Sequence, residues 1–236
     1  MPDTQCAAIS RGAQCGLRLW HCLSRLLSCW QCSQFGTTGK AKETSNMITL
    51  TINYDRDTES PNDNYGFALY SFSRKHLSFK HPENFFTEGN DGLIPNIGIR
   101  RKLSCKTAFL LSYYEHGQCS WTLQNEGSSC PWDSSNFAGI LVWEEKPSDL
   151  GKDYDAREKS ARCFLEEYTN WCNGQCFYYS IERTDTVEDL DDSCGGFIGS
   201  EWVLEHLKDE HGELFDQDGD LLESVVVKGE ASWIVE

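Results

Sequence analysis

The sequence predicts an α+β fold, in which a mixed or antiparallel sheet carries two main helices packed on one face, preceded by a poorly ordered N-terminal extension. Three observations support this prediction. Several short segments alternate apolar and polar residues, two longer segments repeat apolar residues every three or four positions, and the charge changes sign near residue 46. With 236 residues, of which 39% are hydrophobic, the chain can bury a sizeable core.

The first part of the chain differs from the rest in charge. Residues 1–46 hold five basic and two acidic residues, a balance of +3, which leaves −19 for residues 47–236. The polar segment "GTTGKAKETSN" (36–46) is typical of a linker, and Met47 opens the alternating segment "MITLTINY". We therefore predict a basic, cysteine-rich, flexible extension over 1–46 and a single α+β domain over 47–236, with the functional chain beginning at Met47.

Other interpretations of the extension stay open. Five of the twelve cysteines lie in it, and the pair Cys29-x-x-Cys32, with Cys15, Cys22 or His21, has half the spacing of a zinc site. From Cys15 onward the sequence also nearly repeats every seven residues, which favours a basic amphipathic helix. Such a helix suits an anionic membrane surface or a targeting peptide.

Strands and turns follow from alternation and from turn residues in the second part of the chain. The turn Glu115-His116-Gly117 predicts a hairpin between two neighbouring strands. The segment 80–104 is rich in Pro, Gly and Asn, and predicts a long surface loop. We expect strands near 48–54, 66–72, 107–114, 118–123, 138–144, 175–183 and 221–228.

Two segments have helical periodicity. In the first, Phe164, Leu165 and Tyr168 belong to an apolar stripe, Asp153 favours the N-terminal end, and Asn173-Gly174 predicts the stop. The second, "SEWVLEHLKDEHG" (200–212), begins with Ser200 as the expected N-cap and ends at a glycine. Its apolar stripe is Val203, Leu204 and Leu207.

Composition excludes several classes of function. A net charge of −16 makes contact with a nucleic-acid backbone unfavourable, so no direct nucleic-acid ligand is expected. Apolar runs such as "AGILVW" (138–143) are far shorter than the roughly 18 to 20 residues that span a bilayer, so we predict no membrane span. Without a convincing export signal, we expect a cytosolic protein whose cysteines are mostly reduced thiols.

Two motifs in the C-terminal half resemble ligand loops but lack necessary parts. "FDQDGDLLES" (215–224) begins like a calcium loop, yet Leu221 and Val227 occupy the positions that need glycine and a bidentate Glu. We therefore predict a solvated acidic turn. "SCGGFIGSEW" (193–202) lacks the Lys and Ser/Thr of a phosphate-binding loop and has acidic neighbours, so a tight connection between a strand and a helix is favoured.

The cysteines of the second part give no complete catalytic or metal site. Cys172 and Cys176 are separated by three residues, and structural thiols are favoured over a redox or metal pair. Cys130 and Cys194 are expected in loops beside acidic residues, where His116 or His206 could approach. We predict no catalytic residue, metal ligand or cofactor, and the candidate binding residues are Trp132, Asp133, Asp192, Cys194 and Trp202.

The C-terminal part is strongly acidic. From Asp185 to Glu236 there are 16 acidic residues and only two basic ones, Lys208 and Lys228. One interpretation is a negative face that takes the place of nucleic acid on a basic protein. The other is that the charge only keeps the protein soluble, since exposed acids are common.

Four segments resemble uncharacterised proteins encoded in bacteriophage genomes. These segments are "FLLSYYEHG" (109–117), "CPWDSSNFAGILVWE" (130–144), "FLEEYTNWCNG" (164–174) and "DSCGGFIGSEW" (192–202). The resemblance covers roughly residues 105–236, although Gly195-Gly196 departs from the bulkier residue expected there. It implies a virus-encoded protein in a host cytoplasm and assigns no catalytic residue.

These observations favour a non-enzymatic accessory factor that binds a basic host protein, with Trp132 or Trp202 as an exposed anchor. Two other functions remain open. One is a cysteine- or metal-dependent enzyme that uses the loops of Cys130 and Cys194, and the other is a virion or structural protein. The sequence does not predict the oligomeric state.

Overall fold

The computed structural model of the chain describes residues 47–63, 66–90, 92–127, 130–183 and 192–235. The predicted extension over 1–46, with its possible zinc site or amphipathic helix, lies outside the described residues. The predicted α+β class is confirmed by the strands and helices of the described part. The strands are β1 (Ile48–Tyr54), β2 (Phe67–Ser71), β3 (Phe86–Gly89), β4 (Gly92–Pro95), β5 (Ala108–His116), β6 (Gln118–Leu123), β7 (Ser134–Trp143), β8 (Cys176–Arg183), β9 (Asp192–Ile198) and β10 (Val225–Lys228).

Three α-helices accompany these strands: α1 (Ile97–Ser104), α2 (Tyr154–Cys172) and α3 (Ser200–Glu210). Eight of these strands form two four-stranded sheets, β3 and β4 form a separate hairpin, and each of the two longer helices packs on a different four-stranded sheet. The antiparallel sheet has the order β2-β7-β5-β6, and the predicted hairpin at 115–117 joins its last two strands. The mixed sheet has the order β10-β1-β8-β9, with β10 parallel to β1.

Helix α2 covers one face of the antiparallel sheet. Asp153 caps the helix, because its side chain accepts a hydrogen bond from the amide of Asp155. The spacing of Ala161, Phe164 and Tyr168 places these side chains on one stripe, and the sheet supplies matching apolar residues on alternate positions. The buried residues of this core are Phe67, Leu69, Phe109, Leu111, Trp121, Leu123, Ala138, Leu141, Trp143, Ala161, Phe164, Leu165 and Tyr168.

The opposite face of the same sheet is covered by α1 and by the hairpin of β3 and β4. Phe86 and Ile99 are buried there against Ile140 and Val142. The prediction of a long surface loop over 80–104 is therefore wrong. The helix was missed because it has only eight residues and its few apolar positions are separated by Gly98 and three basic residues.

Helix α3 packs on one face of the mixed sheet. Val203 and Leu207 are fully buried against Leu50 of β1 and Tyr179 of β8. The helix begins at Ser200 itself, and Gly199 occupies the N-cap position, so the prediction of Ser200 as N-cap is wrong. The last strand, β10, begins at Val225, later than the predicted position 221.

Strand β9 also differs from the sequence prediction, which placed Cys194 in a loop. The strand pairs antiparallel with β8, and its register shifts between Phe177 and Tyr178, which leaves Gly196 without a partner position on β8. Gly196 adopts a φ of +81°, which favours glycine, and its amide donates to Asp55 Oδ2 at 3.0 Å. The Asp55 carboxylate therefore accepts the hydrogen bond of the Gly196 amide, which a phosphate-binding loop would donate to its ligand.

The C-terminal turn of α2 holds the free edge of β6. The Asn173 side chain accepts the amide of Cys119 at 2.9 Å and donates to the Cys119 carbonyl at 2.9 Å. One helical turn earlier, Thr169 Oγ1 accepts the amide of Trp121 at 3.0 Å. Gly174 follows with a φ of +71°, so the predicted stop at Asn173-Gly174 is confirmed. We call these three side-chain hydrogen bonds the edge clamp.

Removal of the Asn173 side chain should destabilise the fold. In an Asn173→Ala variant both Cys119 backbone groups lose their partner, and we expect the free energy of unfolding to fall by about 1–3 kcal/mol. Denaturant titration followed by circular dichroism measures this change. Asn170→Ala, on the same turn of α2, is the matched control and should change the free energy by less than about 0.5 kcal/mol. Equal effects of the two substitutions would contradict the edge clamp.

Candidate functional site

The outer side of α3 is the first part of the candidate binding surface. Glu201, Glu205 and Asp209 are spaced four residues apart, which places them on one side of the helix. All three are exposed, and they lie opposite the buried Val203 and Leu207. The sheet therefore fixes which side of the helix faces solvent, and that side is acidic.

An acidic turn follows α3. Asp216 Oδ1 accepts the amides of Asp218 at 2.9 Å and Asp220 at 3.0 Å, which closes a tight turn between Phe215 and Leu221. This is the acidic turn that the sequence predicted in place of a calcium loop. In the described part of the chain, no group of three or more Asp, Glu, His or Cys side chains is arranged to hold a metal ion.

The turn lies beside the outer side of α3, because Lys208 Nζ sits 5.5 Å from the centre of the Phe215 ring. We call the two parts together the acidic face: Glu201, Glu205, Asp209, Asp216, Asp218 and Asp220. Every Asp and Glu within the described residues 192–235 is exposed. Of these acids, only Asp192 and Glu213 form ion pairs with described residues. The acidic face thus keeps most of its negative charge.

A buried polar network lies at the end of α3. The Tyr179 hydroxyl and His211 Nε2 are 2.9 Å apart, and these two side chains are 1% and 6% exposed as residues. His211 Nε2 is also 3.5 Å from Asp192 Oδ2, and its Nδ1 is 3.8 Å from Glu213 Oε1. Because the tyrosine oxygen is buried, the network ties the end of α3 to β8 and does not present a group to a substrate.

A second histidine, His206, lies against the same tyrosine. Its ring centre is 5.0 Å from that of Phe197 and 5.9 Å from that of Tyr179. Burial lowers the pKa of His206 below its usual value, because the charged imidazolium is poorly solvated there. The carboxylates of Glu210, Asp209 and Asp192 oppose this effect on the pKa.

The turn before β7 carries the most exposed tryptophan of the described residues. Trp132 is 90% exposed. Its neighbour Asp133 contacts two groups with the same oxygen, since Oδ2 lies 3.6 Å from Cys130 Sγ and 3.2 Å from His116 Nδ1. His116 is thus the histidine near Cys130, and the two side chains meet at the same carboxylate oxygen of Asp133.

The five predicted binding residues divide between the two sheets. Trp132 and Asp133 lie in the turn before β7 of the antiparallel sheet, while Asp192 and Cys194 lie on β9 and Trp202 lies on α3. Cys194 is opposite Tyr179 in the strand register and is packed against the core of the mixed sheet. Trp202 is half-buried in the same core, so the expectation that it is an exposed anchor is wrong. Of the two predicted anchors, Trp132 is the exposed one.

A basic surface around α1 was not predicted from the sequence. Arg100 and Arg101 are exposed on this helix, and Ile97 at its start is 89% exposed. An open depression of about 440 Å³ beside the helix includes Lys80 and Lys102 in its lining. The run "IRRK" was the available sequence signal, but it lies within the segment assigned to a loop.

No known protein family, characterised protein or solved structure matches this chain. None of the helices among the described residues is both long enough and apolar enough to cross a membrane. The candidate binding surface is therefore defined only by its own geometry and charge.

The bond between Tyr179 and His211 should contribute to stability. In Tyr179→Phe the buried His211 Nε2 loses its 2.9 Å partner, and we expect the free energy of unfolding to fall by about 1–3 kcal/mol in denaturant titration. Tyr178→Phe is the matched control, because that hydroxyl accepts from Asn53 at an exposed position. A loss in the control as large as in Tyr179→Phe would contradict the role of the buried bond.

His206 should make the fold sensitive to acid. Its pKa is lowered in the folded state, so the unfolded chain takes up the proton at a higher pH. The contribution of His206 to the free energy of unfolding is therefore fully present above the ordinary histidine pKa, and it is lost as the pH falls toward the lowered pKa. We expect the wild type to lose more stability between pH 7.5 and pH 5 than His206→Gln does, as measured by urea unfolding. Equal losses would contradict the assignment.

Proposed function

We propose that this protein is a non-enzymatic accessory factor of bacteriophage type that binds a basic protein of the host cytoplasm through its acidic face. The observation that carries the proposal is the outer side of α3, where Glu201, Glu205 and Asp209 are exposed and form no ion pair with described residues. The helix itself is anchored by two buried side chains and by the Tyr179 network. A basic partner would therefore meet a surface whose charges are already positioned.

Electrostatics supports a role in binding. Like charges on one helix side repel each other, so each adjacent pair costs the isolated fold a few tenths of a kcal/mol. A basic partner removes that cost and is attracted over a distance of about 8–10 Å at physiological salt. Trp132, 90% exposed, is a second candidate contact, because tryptophan is enriched among residues that dominate binding energy.

Solubility is the competing explanation for the charge, and the two make different predictions. Solubility depends on net charge and tolerates any placement of the acids, whereas binding depends on where they lie. Two variants with equal charge change separate them. One neutralises the acidic face (Glu201→Gln, Glu205→Gln, Asp209→Asn), and the other neutralises three exposed acids elsewhere (Glu83→Gln, Glu88→Gln, Glu145→Gln).

The test is affinity capture from a bacterial host extract with full-length wild type and both variants as baits, at low and high salt, followed by titration with the captured protein. We expect wild type and the control variant to retain the same basic protein at low salt and to release it at high salt. The variant of the acidic face should bind it at least about tenfold more weakly, with a shallower salt dependence.

Two results would contradict the proposal. If both variants weaken binding equally, net charge alone is responsible and the face has no special role. If no bait retains a basic protein, the binding function is wrong, and assays for alkylation-sensitive turnover and for self-association then address the enzymatic and structural alternatives. Circular dichroism of each variant confirms that a loss of binding does not come from unfolding.

A further inference from the structure

The edge clamp brings together two cysteines that are remote in sequence. Cys119 lies on β6, and its backbone binds Asn173, which is 54 positions later in the chain. Cys172 immediately precedes Asn173 and is the last residue of α2. Nothing in the sequence pairs these two cysteines, because the contact depends on how the helix meets the sheet.

Helix geometry turns Cys172 toward Cys119. Cys172 and Asn173 come three and four positions after Thr169, so all three residues lie on one side of α2. Thr169 and Asn173 both bind the backbone of β6, which shows that this side of the helix faces the strand. Cys119 shares its face of β6 with Trp121, which is buried in the core beneath α2, so Cys119 points toward this side of the helix, and both cysteine side chains are half-buried.

The two thiols differ in acidity, as is useful for thiol exchange. The neighbouring Cys172 thiol lowers the pKa of Cys119, while Cys119, together with burial, raises the pKa of Cys172. Cys119 is therefore the thiol that ionises first and attacks. Cys172 keeps its proton until a base accepts it.

His76 lies beside the Cys172 thiol. Its Nε2 is 3.9 Å from Cys172 Sγ, and its ring packs against Trp121 at 5.2 Å between ring centres. Burial lowers the pKa of His76, although the charge of Glu115 opposes the change, so the ring is mainly neutral near pH 7. Because His76 Nδ1 accepts the amide of Ser78 at 3.2 Å, the proton of the neutral ring is on Nε2, which can donate a hydrogen bond to the Cys172 sulfur and stabilise its thiolate when it forms.

We propose that Cys119 and Cys172 form a reversible dithiol–disulfide site that exchanges with a small-molecule disulfide such as glutathione disulfide. The Cys119 thiolate attacks one sulfur of glutathione disulfide, which forms a mixed disulfide and releases one glutathione thiolate. Cys172 then loses its proton to water, its thiolate is stabilised by the Nε2–H of His76, and it attacks the Cys119 sulfur, which forms the Cys119–Cys172 bond and releases the second glutathione thiolate. The two released thiolates end as two molecules of glutathione, once each has taken a proton originally carried by the protein thiols.

Other cysteines of the described part are less suited to this reaction. Cys176 is only 3% exposed, and burial raises its pKa to about 11. Burial therefore supports the interpretation of Cys176 as a structural thiol, whereas Cys172 is assigned a role in thiol exchange as well. In the disulfide state, a covalent bond would join the edge strand β6 to the end of α2, in addition to the edge clamp.

The test uses the reduced full chain, incubated with mixtures of glutathione and its disulfide at pH 7.5 with a metal chelator present. Free thiols are then alkylated and peptides are mapped by mass spectrometry. We expect a disulfide between the peptides of Cys119 and Cys172, reversed by dithiothreitol, and fastest alkylation at Cys119 before oxidation. Cys172→Ser should stop at the mixed disulfide of Cys119 with glutathione, and His76→Gln should make that species accumulate transiently.

Matched controls are Cys105→Ser and Cys163→Ser, which are also half-buried and should leave the Cys119–Cys172 disulfide unchanged. The proposal is overturned if Cys119 is alkylated no faster than Cys105 and Cys163 and the bond to Cys172 does not form. Pairing of Cys172 with Cys176 would also overturn it. The alkylation rates are measured on the wild type, so they decide the matter even if a variant fails to fold.

Discussion

The meeting of the end of α2 with the free edge of β6 is the contact on which the rest of the structure depends. An edge strand leaves backbone groups without partners, and here Asn173 and Thr169 supply them from the helix. The chain then turns at Gly174 and enters the mixed sheet as β8. The next residue, Gln175, accepts the amide of Gly199 at 2.9 Å, directly before α3 begins. A few residues therefore connect the antiparallel sheet with the start of the helix that carries the acidic face.

Two consequences for function follow from this arrangement. Because α3 is fixed by its apolar stripe and by the Tyr179 network, Glu201, Glu205 and Asp209 are presented on a rigid element. The proposed binding of a basic partner therefore requires little ordering of the protein, and less of the attraction is lost to conformational entropy. The same clamp that orders β6 also brings the two proposed redox thiols together. The proposed charge recognition and the proposed thiol exchange therefore both depend on this one connected segment.

Strong local patterns were sufficient for much of the fold. The long stripe of α2, its stop at Asn173-Gly174, the alternation of β1 and the hairpin at 115–117 each agree with the structure. Strand β9 was missed because its paired glycines and bulge interrupt the alternation, and α1 because one buried face of eight residues is too short a pattern. The burial of Trp202 and the contact between Cys119 and Cys172 arise from tertiary packing. No spacing along the chain encodes them, whereas the exposed charge of the acidic face follows directly from composition.

Amide hydrogen exchange at β6 shows whether the end of α2 holds this edge strand, because it reports on their contact in the unmodified protein. The amides of Cys119 and Trp121 point away from β5, so an edge strand without a partner would leave them open to solvent. We expect both to exchange slowly in the native state, at rates comparable with amides inside the antiparallel sheet. Exchange of both amides at the rate of an unstructured chain would show that the end of α2 does not hold β6.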